Sequence, residues 1–209
     1  MTGPNTLRLG LLGSGKGSNA AAIADACASG QIPAQVALVI SDVADAGILR
    51  QARERGLPGV FIAPGKFRTK LDEAAEAAYI RALQEARVDL VALAGFMRVL
   101  KDGFLDAFVG RIINIHPSLL PSFPGLEAWK KALAHGVKVT GCTVHFVDAG
   151  VDAGPIIGQQ TVPVLDDDTP ETLHQRIQVA EHDLYPQCVA ALARGEIAIR
   201  GRCVIRRAS

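Results

Sequence analysis

A series of short apolar runs with no polar face constrains this chain more than any other feature. Leu7 to Leu12, Val36 to Ile40, Leu90 to Ala94 and Ile112 to His116 are of strand length and almost uninterrupted, and residues with helical spacing lie in the first two of the stretches between them. A strand with one face in water alternates apolar and polar side chains, whereas a strand buried on both faces has no need to. Runs of the second kind alternating with helices require an α/β architecture, with a mostly parallel central sheet, helices on both faces and right-handed crossovers. At 209 residues, with no repeat, low-complexity tract or linker, the chain is expected to form a single domain.

Taken in order, Leu7 to Leu12 is a strand, Gly13-Ser-Gly-Lys-Gly-Ser18 a glycine-rich turn, and a helix starts at Asn19 and stops at Gly30. A strand at Val36 to Ile40, a helix at Ile48 to Arg55 closed by Gly56, and a short strand at Gly59 to Ile62 follow. Leu71 to Ala86 has helical spacing, Leu90 to Ala94 and Ile112 to His116 are strands, and Leu126 to His135 is a helix. Lys138 to Val147 and Pro155 to Val164 are expected to form an antiparallel pair near the C-terminal part. Thr169-Pro170 supplies an N-cap and a first-turn proline for a long helix reaching Arg194, which Pro186 is expected to kink or divide. Ile197 to Ile205 reads as a hairpin turning at Gly201-Arg202.

Composition excludes several functions. A formal net charge of +1 provides neither a polybasic surface for nucleic acid nor an acidic tail. The most apolar run, Leu90 to Met97, falls short of the ~20 residues of a membrane-spanning helix. Cys27, Cys142, Cys188 and Cys203 are far apart in apolar surroundings, as expected of reduced, mostly buried thiols in a reducing compartment. Met1 to Thr6 has no basic flank leading into a signal-like core, so the expected location is cytoplasmic.

Candidate chemistry gathers at a few places. Asn114 and His116 lie two apart on a strand and should point the same way, while Pro117, Pro121 and Pro124 stiffen the loop that follows. Gly13-x-Gly15 with Ser18 fits the dinucleotide fingerprint only loosely, with Ile40-Ser41-Asp42 a weak acidic partner, and Lys16 precedes Gly17 instead of completing a P-loop. That loop is therefore either an anion site at a helix N-terminus or a tight structural turn. His145 on its apolar strand is either a core histidine or a catalytic one. Asp152, in a glycine-rich loop, is either a turn-former or a carboxylate that favours a charged His116. His116, His145 and Asp152 as metal ligands form a further alternative, but their spacing matches no zinc motif. Glu181, His182 and Asp183 on the long helix read locally as a solvated face.

Together, Gly15-Lys-Gly-Ser-Asn19, Leu93 to Leu100, Asn114-Ile-His-Pro-Ser-Leu-Leu-Pro121, Pro124-Gly125, Val144 to Val147, Val151-Asp-Ala-Gly-Pro155 and Glu181-His182 resemble the phosphoribosylglycinamide formyltransferases, folate-dependent enzymes of de novo purine synthesis. The likeness covers essentially the whole chain. It implies a Rossmann-like formyltransferase fold with a phosphate-binding half over about residues 7–110 and a folate and catalytic half over about 111–209. It also implies direct formyl transfer from 10-formyltetrahydrofolate, as cosubstrate, to the amine of glycinamide ribonucleotide through a tetrahedral oxyanion, with no metal.

By the same resemblance Asn114, His116 and Asp152 are catalytic, and Gly15, Lys16, Gly17, Ser18, Asn19, Gln178 and Glu181 hold the ribonucleotide. Phe96, Met97, Arg98, Val99 and Leu100, with Asn114, Asp148, Ala149, Gly150, Val151 and Asp152, form the folate site, and Arg68 meets the folate tail. The implied partners are these small molecules, with no nucleic acid or membrane, and the implied state is monomer or homodimer. Lys16 stands where the family often has Asn, and Gly150 where an acidic residue is common.

Three other readings compete. A methionyl-tRNA formyltransferase needs a further C-terminal domain and a basic surface for tRNA, and neither is expected at this length and charge. A formyltetrahydrofolate hydrolase needs an extra N-terminal domain, yet the first strand begins within about ten residues of Met1. The third is a non-catalytic nucleotide- or folate-binding module on the same fold.

Overall fold

The computed structural model describes residues 6–207; the reading of Met1 to Asn5 as lacking a signal-like core lies outside the described residues. The chain divides between Ile113 and Asn114 into two compact units.

In the first unit β1 (Leu7–Leu12), α1 (Ser18–Ala28), β2 (Ala34–Ser41), α2 (Gly47–Glu54), β3 (Gly59–Phe61), α3 (Glu73–Glu85), β4 (Leu90–Leu93) and α4 (Asp102–Ala107) follow in order. The strands lie as β3-β2-β1-β4, and β1 with β2, β1 with β4 and β2 with β3 pair in parallel. Their apolar runs are the core: Leu9, Leu11, Leu12, Ile40, Val91 and Ala92 are fully buried. Gly10 interrupts β1 because a Cβ there would lie 2.6 Å from the Leu83 side chain of α3. α3 starts where the Asp72 carboxylate accepts the Ala75 N–H at 2.9 Å. α4 was not expected from the sequence, since six residues are too few to display a period.

β5 (Ile112–His116) carries the chain across the division. The second unit contains α5 (Ala128–Ala134), β6 (Val139–Phe146), β7 (Ile156–Pro163), α6 (Pro170–Ala193), β8 (Ile197–Arg200) and β9 (Cys203–Arg206). β6 and β7 pair antiparallel, β9 joins β7 in parallel, and β8 and β9 form the expected hairpin.

α6 opens with a reciprocal cap between Thr169 and Thr172, and Arg176 closes on Asp168 with a contact of 2.6 Å. Division, one of the two outcomes expected at Pro186, does not occur: the helix runs 24 residues with the proline inside. The proline forfeits one backbone bond, and burial of Leu184, Tyr185, Cys188 and Val189 on either side of it offsets that loss.

The cysteines also differ in part from expectation. All four are free thiols, but only Cys142 and Cys188 are buried, where desolvation pushes each thiol up to about 12, while Cys27 is half-buried and Cys203 exposed. Among the described residues no helix is long and apolar enough to cross a membrane.

Thr169→Ala removes one half of the α6 cap and is expected to lower unfolding stability by about 1 kcal/mol. Urea denaturation checks this as a lower midpoint at unchanged slope.

Candidate active site

The second unit assembles its polar cluster around Asp152. This residue lies in the β6–β7 connection with φ 52, a left-handed conformation that aspartate tolerates better than most side chains. Its Oδ2 accepts the Gly125 N–H at 2.7 Å and faces His116 Nδ1 at 3.3 Å, and its Oδ1 lies 3.7 Å from His145 Nε2. The side chain is 12% exposed, so its charge depends on these neighbours. The left-handed turn at Asp152 and its approach to His116 thus go together, because the turn aims the carboxylate.

The strand period delivers Asn114 and His116 to this cluster as expected. His116 is buried, and its Nε2 lies 3.0 Å from the Phe123 carbonyl while Nδ1 faces Asp152. Both nitrogens confront acceptors, so only the doubly protonated ring donates to both.

His145 is the residue whose local reading needed tertiary context. Its Nδ1 is 2.8 Å from the Phe146 carbonyl and must carry the hydrogen, which leaves Nε2 bare to accept from the Asn114 amide at 3.3 Å. Burial favours this neutral state and lowers the His145 pKa from 6.5, against the opposing pull of the Phe146 carbonyl and Asp152. The core histidine is therefore also the group that orients Asn114.

The proline-rich loop keeps its shape through β6 and β7. Thr143 Oγ1 donates to the Ser118 carbonyl at 2.7 Å and accepts the Leu120 N–H at 3.0 Å. Gln159, its cross-strand partner, donates to the Leu120 carbonyl at 2.9 Å. Phe123 and Glu127 take positive φ, and Gly125, also at positive φ, gives its N–H to Asp152. Thr143 and Gln159 carry no motif of their own, and only the β6–β7 register reveals their task.

Asp148, Ala149, Gly150 and Val151 are exposed, and the Asp148 carboxylate accepts the Gly150 N–H at 2.9 Å, closing a turn. On α6, Gln178 and Glu181 lie one turn apart. The local expectation of a solvated face fails at Glu181, which is buried, and at half-buried His182, whose pKa burial lowers. His174 stacks on Trp129 with ring centroids 3.7 Å apart and approaches the Gln178 amide at 3.5 Å.

The glycine loop belongs to the first unit. Gly17 caps α1 with φ 79, no side chain caps the helix, and its first turn has no acidic residue, so the N–H groups and dipole there favour an anion. Gly15 and Lys16 are exposed, and Ser18 and Asn19 begin the helix. Ser14, absent from the expected residues, accepts the Met97 N–H on its hydroxyl at 2.9 Å and gives its own N–H to the Gly95 carbonyl at 3.0 Å.

Residues 96–100 of the same unit alternate. Phe96 and Leu100 are buried, and Met97 and Val99 are 58% and 54% exposed, leaving two apolar side chains for a ligand. Arg98 turns inward to Asp42, so it can offer a folate only its backbone; Arg68 is exposed. Among the described residues no group of three or more His, Cys, Asp or Glu is arranged to hold a metal ion.

A carboxylate with two histidines and an amide beside a shaped loop can hold a proton and offer hydrogen bonds to developing negative charge. The chain belongs to the formyl transferase family, whose model matches residues 7–189. It is 47% identical over 190 residues to the trifunctional purine biosynthetic protein adenosine-3 of Drosophila melanogaster, covering 90% of this chain but only 14% of that protein. It is 46% identical over 200 residues to the phosphoribosylglycinamide formyltransferase of Mycobacterium tuberculosis, covering 93% of this chain and 89% of the relative. Among solved structures, glycinamide ribonucleotide transformylase 1 from Symbiobacterium toebii superposes with a TM-score of 0.94 at 50% identity over 100% of both chains.

Two outcomes are expected. Because the folded protein holds His145 and His182 below their ordinary pKa, the unfolded chain binds more protons as pH drops past about 6.5. Unfolding stability then falls with pH, and denaturation series at several pH values should show a shallower fall in His145→Asn. A Cβ at Gly17 would lie 2.5 Å from the Ile48 backbone, whereas one at Gly15 meets nothing within 4 Å. Gly15→Val is therefore the clean test of the expectation that this loop holds the ribonucleotide phosphate: on that expectation the ribonucleotide KM rises about tenfold or more, ~1.4 kcal/mol of binding, at an unchanged melting temperature.

Proposed function

We propose that the protein transfers the formyl group of 10-formyltetrahydrofolate to the amine of glycinamide ribonucleotide, in purine biosynthesis. The observation that carries this reading is the cluster in which His116 and His145 face the Asp152 carboxylate, Gly125 donates its N–H to it, and Asn114 is held by His145. The M. tuberculosis and S. toebii relatives, matched along most of their length, bear names of this activity.

The amine attacks the formyl carbon and negative charge collects on the formyl oxygen. Asn114, held by neutral His145, keeps a second amide hydrogen to donate to that oxyanion. His116 adds a charged donor by turning Nε2–H from the Phe123 carbonyl to the same oxygen. The Asn114 amide, fixed before charge develops, costs no reorganisation at the transition state. Asp152 stabilises the charged His116 ring and, through water, passes a proton from the attacking amine to the departing folate nitrogen.

In this assignment the α1 N-terminus with Gly15, Lys16, Gly17, Ser18 and Asn19 takes the ribose phosphate, and Gln178 and Glu181 contact the rest of the ribonucleotide. Met97 and Val99 pack on the pterin, and the backbone of residues 148–152 reads its edge. Arg68 meets the acidic folate tail, and no step calls for a metal. Four unpaired thiols fit a reducing, cytoplasmic setting.

Purified protein mixed with both substrates should release tetrahydrofolate, and no release should occur when the ribonucleotide is omitted. Release without it would favour a hydrolase, and silence in both mixtures a binding module. His116→Ala and Asp152→Ala should each lower kcat by about a hundredfold or more with small changes in KM, because both act on the transition state. Steady-state kinetics at saturating cosubstrate checks this, and wild-type turnover in either variant removes the assignment.

A further inference from the structure

Asp42 follows the C-terminal end of β2, and its side chain is 1% exposed. Its Oδ2 lies 2.6 Å from Arg98 Nε, and no hydrogen-bond partner reaches its buried Oδ1 among the described residues. A carboxylate buried in this way is sustained by its one cation. The same guanidinium donates through one terminal nitrogen to the Phe67 carbonyl at 2.9 Å and to the Arg68 carbonyl. Backbone contacts run alongside: Val99 N–H donates to the Thr69 carbonyl at 2.8 Å, and Lys70 forms a parallel bridge with Val99. One arginine therefore joins three separate stretches of chain, and its planar fork suits that task as lysine's single ammonium does not.

We propose that Asp42 is a positioning residue for the folate cosubstrate: through Arg98 it clamps residues 67–68 against residues 96–100 and fixes the surface that receives the pterin. Arg98 points inward between exposed Met97 and Val99, so anchoring it sets the spacing and direction of both apolar side chains. The carbonyls it captures belong to Phe67 and Arg68, so the loop bearing the residue assigned to the folate tail is held by the same fork. Asp42 itself touches no substrate. This inference rests on residues 96–100 belonging to the folate site.

The test is steady-state kinetics on the intact enzyme with Asp42→Asn, Asp42→Ala, Arg98→Lys and, separately, Val99→Arg, which places a bulky charge directly on the pterin surface. Asp42→Ala and Arg98→Lys are expected to raise the KM for 10-formyltetrahydrofolate about tenfold, the cost of loosening a site by a fraction of an ångström. kcat and the ribonucleotide KM should stay within about twofold of wild type, with Asp42→Asn, which keeps an acceptor for Nε, between the two. A merely structural role would lower the melting temperature and active fraction while leaving the folate KM of the surviving enzyme unchanged, and that result overturns the proposal. If Val99→Arg raises the folate KM and the Asp42 variants do not, the clamp fails and the folate assignment stands. If Val99→Arg leaves the folate KM unchanged, the folate assignment fails and the clamp with it.

Discussion

The second unit depends on one carboxylate that has left most of the solvent behind. Asp152 meets a backbone N–H from Gly125, one nitrogen of His116 and, further off, one of His145. Removing any of these leaves a charge in a medium that does not hydrate it, so the β6–β7 connection, the end of β5 and the proline-rich loop must keep their places together. The left-handed backbone at Asp152 is a local cost borne for that arrangement.

Two histidines of similar burial then acquire different chemistry from their partners. His116 stands between a carbonyl and a carboxylate, which suits a ring with two N–H groups. His145 donates from Nδ1 to the Phe146 carbonyl and receives the Asn114 amide on Nε2, which suits a neutral ring. One ring thus faces two acceptors, and the other holds an uncharged amide in place. The first unit repeats the device at Asp42, where a buried carboxylate holds Arg98 and, through it, two loops.

The glycines of the first loop show why a motif does not reveal which of its positions serves a ligand. Gly17 is required by its left-handed φ and by the backbone of α2 against it, whereas Gly15 faces open space. The string Gly-Lys-Gly-Ser is the same in either case. A structural requirement and a binding requirement both select glycine, and only the neighbours in space separate them.

The sequence by itself determined the α/β alternation, the antiparallel β6–β7 pair, the N-cap of α6 and the C-terminal hairpin, because apolar periodicity and capping chemistry are local. It also determined that Asn114 and His116 share a face, since a strand has a period of two. Tertiary structure alone decided that Pro186 sits inside an unbroken helix, that Glu181 is buried, that His145 orients Asn114, and that Arg98 turns inward toward Asp42. Each of these outcomes depends on burial and on partners many residues away in the chain. Desolvation, charge pairing and packing act on distance in space, and no short window of sequence contains them.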